Sequence, residues 1–187
     1  MDTRILFFAS YEIFISLVFG FLTVFLTYRA LDRFILNRKA EESLRNNNLS
    51  LAIFQGTVIF TVLLIVHTSV LPSVSTLKTV VANSGSIQLK AYAVSFLYFL
   101  MFYSMSLLLS LLVIFICVTV YVWATRDLQE MAEIKKGNVS VSLLLCFIIL
   151  GQGIFLQNPI KNFIGSFVNY EIALDQKGPL KFAPKQN

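Results

Sequence analysis

The chain has 187 residues, 57% of them hydrophobic and only 13% charged, with a mean hydropathy of +0.76. That mixture is far too apolar for an ordinary water-soluble domain, so lipid is the expected solvent. The net charge of +5 does not mark a nucleic-acid binder, because the 15 basic residues are scattered over every polar segment and form no compact basic face.

Crossing the hydrocarbon core takes about 20 helical residues, and a chain in lipid must pair its own backbone groups, which favours helices. Four apolar runs meet that requirement. The first covers residues 5–31. It is too long for a signal-peptide core and is followed by Arg29, Arg33, Arg38 and Lys39, so it is expected to be retained. Glu12 falls inside it, about 10 Å from its outer end at 1.5 Å per residue.

Beyond the polar loop at 28–48, "NNNLSLAIFQG" opens the second run, 49–71. Asn48 stands where a helix N-cap belongs, since its side chain accepts from an orphan backbone N–H. Ala52 and Gly56 make a small-xxx-small pair, the spacing that lets helix backbones approach closely in lipid. His67 lies about 6 Å from the outer end of this run. Residues 72–90 read as a polar connector. The third run, 91–124, carries no charge and would make about 51 Å of helix, so it must tilt or project. Tyr92 and Tyr98 at one edge and Tyr121 and Trp123 at the other suit an aromatic belt. Ser104, Ser106 and Ser110 read as packing residues bonded to their own helix.

The loop at 125–138 leads into "KKGNVSVSLLLCFIILGQGI", which opens the fourth run, 139–157. Asn138 repeats the cap, Ser142 and Cys146 repeat the small pair, and Gly151 and Gly153 follow. Cys117 and Cys146 lie within spans, where cysteine is a small packing residue. Both loops carry mixed charge at helical spacing, so helices projecting past the bilayer are expected, each turning just before its asparagine. After Pro159, the residues Ile160, Phe163, Ile164, Phe167 and Val168 share one helical face. That stretch is too short to span and is expected to lie in the interface.

The sequence therefore predicts an all-α membrane protein with four transmembrane helices in two tandem parallel helix-pair repeats, residues 1–82 and 83–157. A C-terminal interfacial amphipathic helix and a flexible tail follow, at 158–187. Two spans return the chain to its starting side, so the repeats would be related by a pseudo-twofold axis along the membrane normal. Eight basic residues in the loops at 28–48 and 125–138 (Arg29, Arg33, Arg38, Lys39, Arg45, Arg126, Lys135 and Lys136) face four on the other side (Arg4, Lys78, Lys90 and Lys161). The positive-inside rule then puts both loops in the cytoplasm and both termini outside.

The two asparagine segments, "NNNLSLAIFQG" and "EIKKGNVSVSLLLCFIILGQGI", resemble the signature segments of the YjfL-type family of bacterial inner-membrane proteins, a domain of unknown function numbered 350. The resemblance covers roughly residues 5–157. Asn48, Ala52 and Gly56 match the first copy; Gly137, Asn138, Gly151 and Gly153 match the second. Cys146 stands where the family more often has glycine, and Ser140 and Ser142 where alanine is usual. The resemblance implies a bacterial inner-membrane location, genes encoded beside those of phage-shock-type membrane-surface proteins and polyamine- or peptide-ligating enzymes, and no settled biochemical activity.

An ionisable group at membrane depth is a functional hypothesis by default. Glu12, His67 and Gln152 fall at similar depths and form a candidate polar cluster. Its functional reading is proton or cation handling; its structural reading is a buried hydrogen bond, or side chains snorkelling separately to the headgroups. Arg38, Lys39, Lys135 and Lys136 form a candidate docking rim for a cytoplasmic partner, or simply a solvated face. No phosphate loop, catalytic triad or metal-ligand spacing is present in the sequence, and one histidine does not supply the usual axial pair for a membrane haem. No enzymatic activity, cofactor or metal is therefore expected. The favoured reading is a membrane scaffold or anchor whose partners are the bilayer, a membrane-surface protein and further copies of itself. The alternative is a small transporter or channel for a proton, cation or small solute along the pseudo-twofold interface.

Overall fold

With no water to satisfy peptide groups in the bilayer, the four apolar runs fold into long helices. A computed structural model of the chain describes residues 3–34, 46–70, 72, 74, 75, 78, 89–125 and 130–167. In chain order, α1 is Thr3–Phe34, α2 is Leu49–Val66, α3 is Leu89–Ala124, α4 is Glu130–Lys135 and α5 is Val139–Ser166. A short 3₁₀ turn, His67–Ser69, extends α2. Among the described residues no strand occurs, and four helices are long and apolar enough to cross a membrane. The chain is a multi-pass membrane protein.

The helices are not equal partners. Half of the α2 span is buried, against 28% for each of α3 and α5 and 11% for α1, so α2 is the central post. Its crossing with α5 is the most extensive in the molecule, and α1 and α3 also pack on it. On α3 the buried positions Phe99, Tyr103, Ser106, Ser110, Val113, Cys117 and Tyr121 recur every three or four residues. That spacing is one face of a helix turned toward its neighbours.

By contrast, α1 docks by a single row. Ile15, Thr23, Thr27 and Leu31 are buried and Phe19 packs against the core, all at four-residue intervals, which is one ridge of an α-helix. Phe19 meets the rings of Phe99 and Tyr103 edge-on, with centroids 4.5 Å and 4.8 Å away. Thr23 Oγ1 donates to the Phe19 carbonyl at 2.6 Å. Its proton is thereby committed, so the hydroxyl of Tyr103, 3.1 Å away, donates to it. The remaining faces of α1, including Ile13, Phe14 and Phe21, are exposed and suit lipid.

Three expectations are corrected. The stretch after Pro159 is not a separate helix, because α5 continues unbroken to Ser166 with Pro159 inside it. Proline removes one backbone donor without forcing a break. Ile160 and Ile164 turn into the core, while Phe163 and Phe167 remain exposed and pack edge-on at 5.2 Å; Val168 and the tail lie outside the described residues. The second loop does not project as a helix either. There α4 folds back against α5 and α2, burying Ile134 and Glu130. Finally, Ser106 donates across to the Ile65 carbonyl at 3.0 Å rather than along α3. The shift from α-helix to 3₁₀ turn makes that carbonyl a shared acceptor, and it also receives the Thr68 hydroxyl at 2.7 Å.

The α2–α5 crossing is close at Gly153, where an added Cβ would clash with Thr61 Cγ2. Thr61 has little freedom to yield, since its hydroxyl is bonded to the Thr57 carbonyl at 2.9 Å. Gly153→Ala should therefore destabilise the protein by about 1–3 kcal/mol through overpacking. Adding Thr61→Ser, which removes the clashing methyl, should restore most of the loss in a double-mutant cycle of thermal unfolding in detergent. Equal losses with and without Thr61→Ser would refute this contact.

Candidate functional site

Of the residues singled out by the sequence, Asn48, Asn138 and Ser142 meet at the loop end of the α2–α5 crossing. Immediately before each of these helices the backbone turns through positive φ, at Asn47 (φ 54°) and at Gly137 (φ 94°). It then enters the cap in an extended conformation, with φ/ψ of −73°/91° at Asn48 and −71°/96° at Asn138. Asn48 Oδ1 accepts from the Leu51 N–H at 3.0 Å, and Asn138 Oδ1 from the Val141 N–H at 3.4 Å.

Gly137 has a further task. Its N–H donates to the Ile134 carbonyl at 3.1 Å, and the Asn138 N–H to that of Glu133 at 3.0 Å. These are the paired bonds of a Schellman motif, which needs the left-handed conformation that glycine adopts freely. Asn138 thus ends α4 and starts α5.

Asn48 does more than cap its own helix. Its Nδ2 donates to the carbonyls of Lys135 at 2.8 Å and Ile134 at 3.2 Å. One amide therefore satisfies an orphan donor at the start of α2 and two acceptors at the end of α4. Beside it, Ser50 Oγ donates to the Asn138 carbonyl at 2.9 Å, and Ser142 Oγ donates to the Ser50 carbonyl at 2.6 Å. Asn138 Nδ2 turns the other way, to Glu133 Oε2 at 3.2 Å. Glu133 Oε1 pairs with Lys136 Nζ at 2.8 Å. The Lys136 ammonium, followed by the Asn138 amide, holds the Glu133 carboxyl below the ordinary glutamate range.

Not all of the repeated residues meet here. Ser142, Cys146 and Gly153 are buried in the crossing, but Ala52, Gly56 and Gly151 are exposed, and a Cβ at Gly56 or Gly151 would meet nothing. The inward face of α2 is set instead by Leu51, Phe54 and Val58. Lys135 and Lys136 are exposed at this end. Arg38 and Lys39 lie outside the described residues.

Glu12, His67 and Gln152 do not form one cluster. Gln152 is exposed and lines a groove of about 460 Å³ between α3 and α5, with Cys117 and Tyr121. Glu12 lines two other grooves, and His67 is exposed at the start of the 3₁₀ turn. No hydrogen bond or ion pair joins any two of the three among the described residues.

Sequence reasoning missed Ser50, Gln55, Thr27 and Glu130. Glu130 is buried, with Oε1 accepting from the Thr125 hydroxyl. Glu130 Oε2, Gln55 Nε2 and Thr27 Oγ1 are buried without a hydrogen-bond partner among the described residues. Ser50 carried a usable signal, standing two residues after a cap. Glu130, in a charged loop, carried none. No group of metal-binding side chains occurs among the described residues.

Comparison with known proteins extends the description of a multi-pass membrane protein. The model of a family described as Domain of Unknown Function (DUF350) matches residues 95–174, which span most of α3, all of α4 and α5, and the Asn138 cap. No curated protein and no solved structure matches the chain.

If capping alone mattered, Asn48→Asp would be silent, since aspartate caps as well as asparagine. Because Asp has no N–H to offer the Ile134 and Lys135 carbonyls and sets a negative charge against them, it should instead destabilise as much as Asn48→Ala, which loses the cap but brings no charge. A loss of about 2–4 kcal/mol is expected for either variant in detergent unfolding.

Acidification supplies a second check. The Glu133 carboxyl has a lower pKa folded than unfolded, so its contribution is present above the ordinary glutamate range and is lost as pH falls through its folded value. Glu133→Gln should remove that part of the acid sensitivity, seen as a flatter unfolding midpoint against pH.

Proposed function

We propose that the chain is a non-enzymatic membrane scaffold of the YjfL-type, DUF350-like kind, seated in the bacterial inner membrane as two tandem helix pairs. The loops holding Arg38, Lys39, Lys135 and Lys136 face the cytoplasm in this reading, where they dock a membrane-surface protein. The observation that carries it is the fate of the polar atoms around Asn48 and Asn138. Their side chains, with Ser50 and Ser142, bond to helix ends, neighbouring backbone and Glu133. They are used to lock helices together rather than to line a path. Exposed Lys135 and Lys136 at that end leave a charged surface available to a partner.

A transporter is the second reading, favoured by Gln55 Nε2 and Thr27 Oγ1, which have no hydrogen-bond partner among the described residues and lie about 10 Å from the loop ends of their helices. The two readings separate in proteoliposomes. The scaffold reading expects proton and potassium flux no greater than in protein-free vesicles, and loss of co-purifying protein on charge reversal at Arg38, Lys39, Lys135 and Lys136. Flux above background that falls on Gln55→Leu or His67→Ala would replace it with transport. For orientation, cysteines introduced at Arg45 and Lys135 should both resist an impermeant thiol reagent in intact cells and both react after lysis.

A further inference from the structure

At the end of the fold opposite the asparagine caps, a groove of about 540 Å³ is lined by Glu12 from α1, Ser75 and Lys78 from the segment after the 3₁₀ turn, and Lys161 and Asn162 from α5. A second, shallow groove of about 690 Å³ runs along α1 from Ala9 to Val24, with Leu63 of α2 beside it. Glu12 lines both. One groove is charged and the other almost wholly apolar, and they meet at a single carboxylate.

We infer that the joined grooves bind one phospholipid whose headgroup carries a primary amine. The phosphate sits between Lys78 and Lys161, the ammonium pairs with Glu12, and an acyl chain lies along α1.

Charge complementarity argues for this occupant. Two ammonium groups and one carboxylate in one groove match a headgroup of one phosphate and one ammonium. Glu12 lies about 13 Å along α1 and makes no ion pair among the described residues. A carboxylate near the edge of the hydrocarbon region costs a few kcal/mol unless it is paired, and a primary ammonium has N–H donors to pair it. A quaternary headgroup has none, and an anionic headgroup without an amine leaves Glu12 alone. Lys78, which lines the groove, has its Nζ 5.9 Å from the Phe8 ring centroid; long lysine stems can lie on apolar surface with the charge at the interface.

The length also fits. From Ile13 to Val24 the groove follows α1 for about 16 Å, and one leaflet of a 30 Å hydrocarbon core is about 15 Å deep. At Gly20, where a Cβ would meet nothing within 4 Å, the missing side chain leaves room for the chain to pass.

The full-length protein, delipidated in detergent, is to be titrated with phosphatidylethanolamine, its N-methylated series through phosphatidylcholine, phosphatidylglycerol and diacylglycerol, all with the same acyl chains. Native mass spectrometry reads retained lipid and thermal unfolding reads stabilisation. Phosphatidylethanolamine should be retained about tenfold better than phosphatidylcholine, as one charge-assisted hydrogen bond would give. Glycerophosphoethanolamine, which lacks acyl chains, should not displace it. Glu12→Gln should abolish the preference for ethanolamine over choline while keeping phospholipid bound, and Lys78→Gln with Lys161→Gln should reduce retention of every phospholipid. Equal retention along the N-methyl series, a preference for phosphatidylglycerol, or undiminished binding of diacylglycerol would each overturn the assignment. The wild-type N-methyl series decides the matter even if a variant fails to fold.

Discussion

The fold turns on one side chain amide that closes two helices at once. A helix end near the membrane boundary leaves donors or acceptors that neither lipid nor neighbouring apolar side chains can satisfy. Asn48 sits where two such ends meet, and it has both an acceptor and donors. Its oxygen serves the start of α2 and its nitrogen the end of α4. No other side chain of its size supplies both. Aspartate and serine can cap, but aspartate has no donor and serine has one hydroxyl proton for two carbonyls. The Ser50–Asn138 and Ser142–Ser50 bonds then fasten the adjacent backbones. Below them, Gly153 and Thr61 set how closely the rest of α2 and α5 can approach. A polar clamp at one end and a close contact in the middle fix both the spacing and the angle of the central pair, on which α1 and α3 assemble.

Much of this architecture was legible in the sequence, because solvent imposes it. In lipid a long apolar run has few choices, and the starts of α2 and α5 were marked by Asn48 and Asn138, whose capping chemistry is local. What escaped was everything set by a neighbour. The inward face of a helix that is apolar all round leaves no periodic trace, so Ala52 and Gly56 pointed to a close-packed face that the structure gives instead to Leu51, Phe54 and Val58. The donation from Asn48 to α4 joins residues 86 and 87 positions apart, and no spacing rule reaches that far. Helix depth proved a poor guide to contact for Glu12, His67 and Gln152, because depth fixes one coordinate and leaves rotation about each axis free.

Pro159 misled for a related reason. In water a proline after a polar residue usually ends a helix, and Asn158-Pro159 reads that way. Ile160 and Ile164 gain more by staying in register with the core of α5 than the backbone loses through one missing donor. Tertiary burial overrode the local signal. The same competition explains α4. Its charged sequence suits solvent, yet Ile134 is fully buried beneath the Asn48 amide, and that anchor draws the short helix back onto the fold.

The distance along the chain between Asn48 and its acceptors bears on how the protein is made. At bacterial and eukaryotic synthesis speeds of about 5–20 residues per second, the 86 residues separating Asn48 from Ile134 take roughly 4–17 seconds to emerge. During that interval the Asn48 amide lacks both of its α4 acceptors. The clamp can close only once α4 has been made. A nascent chain interrupted before residue 134 would therefore hold its first hairpin without the contact that distinguishes a completed molecule from a truncated one, which gives membrane quality control a chemical difference to detect.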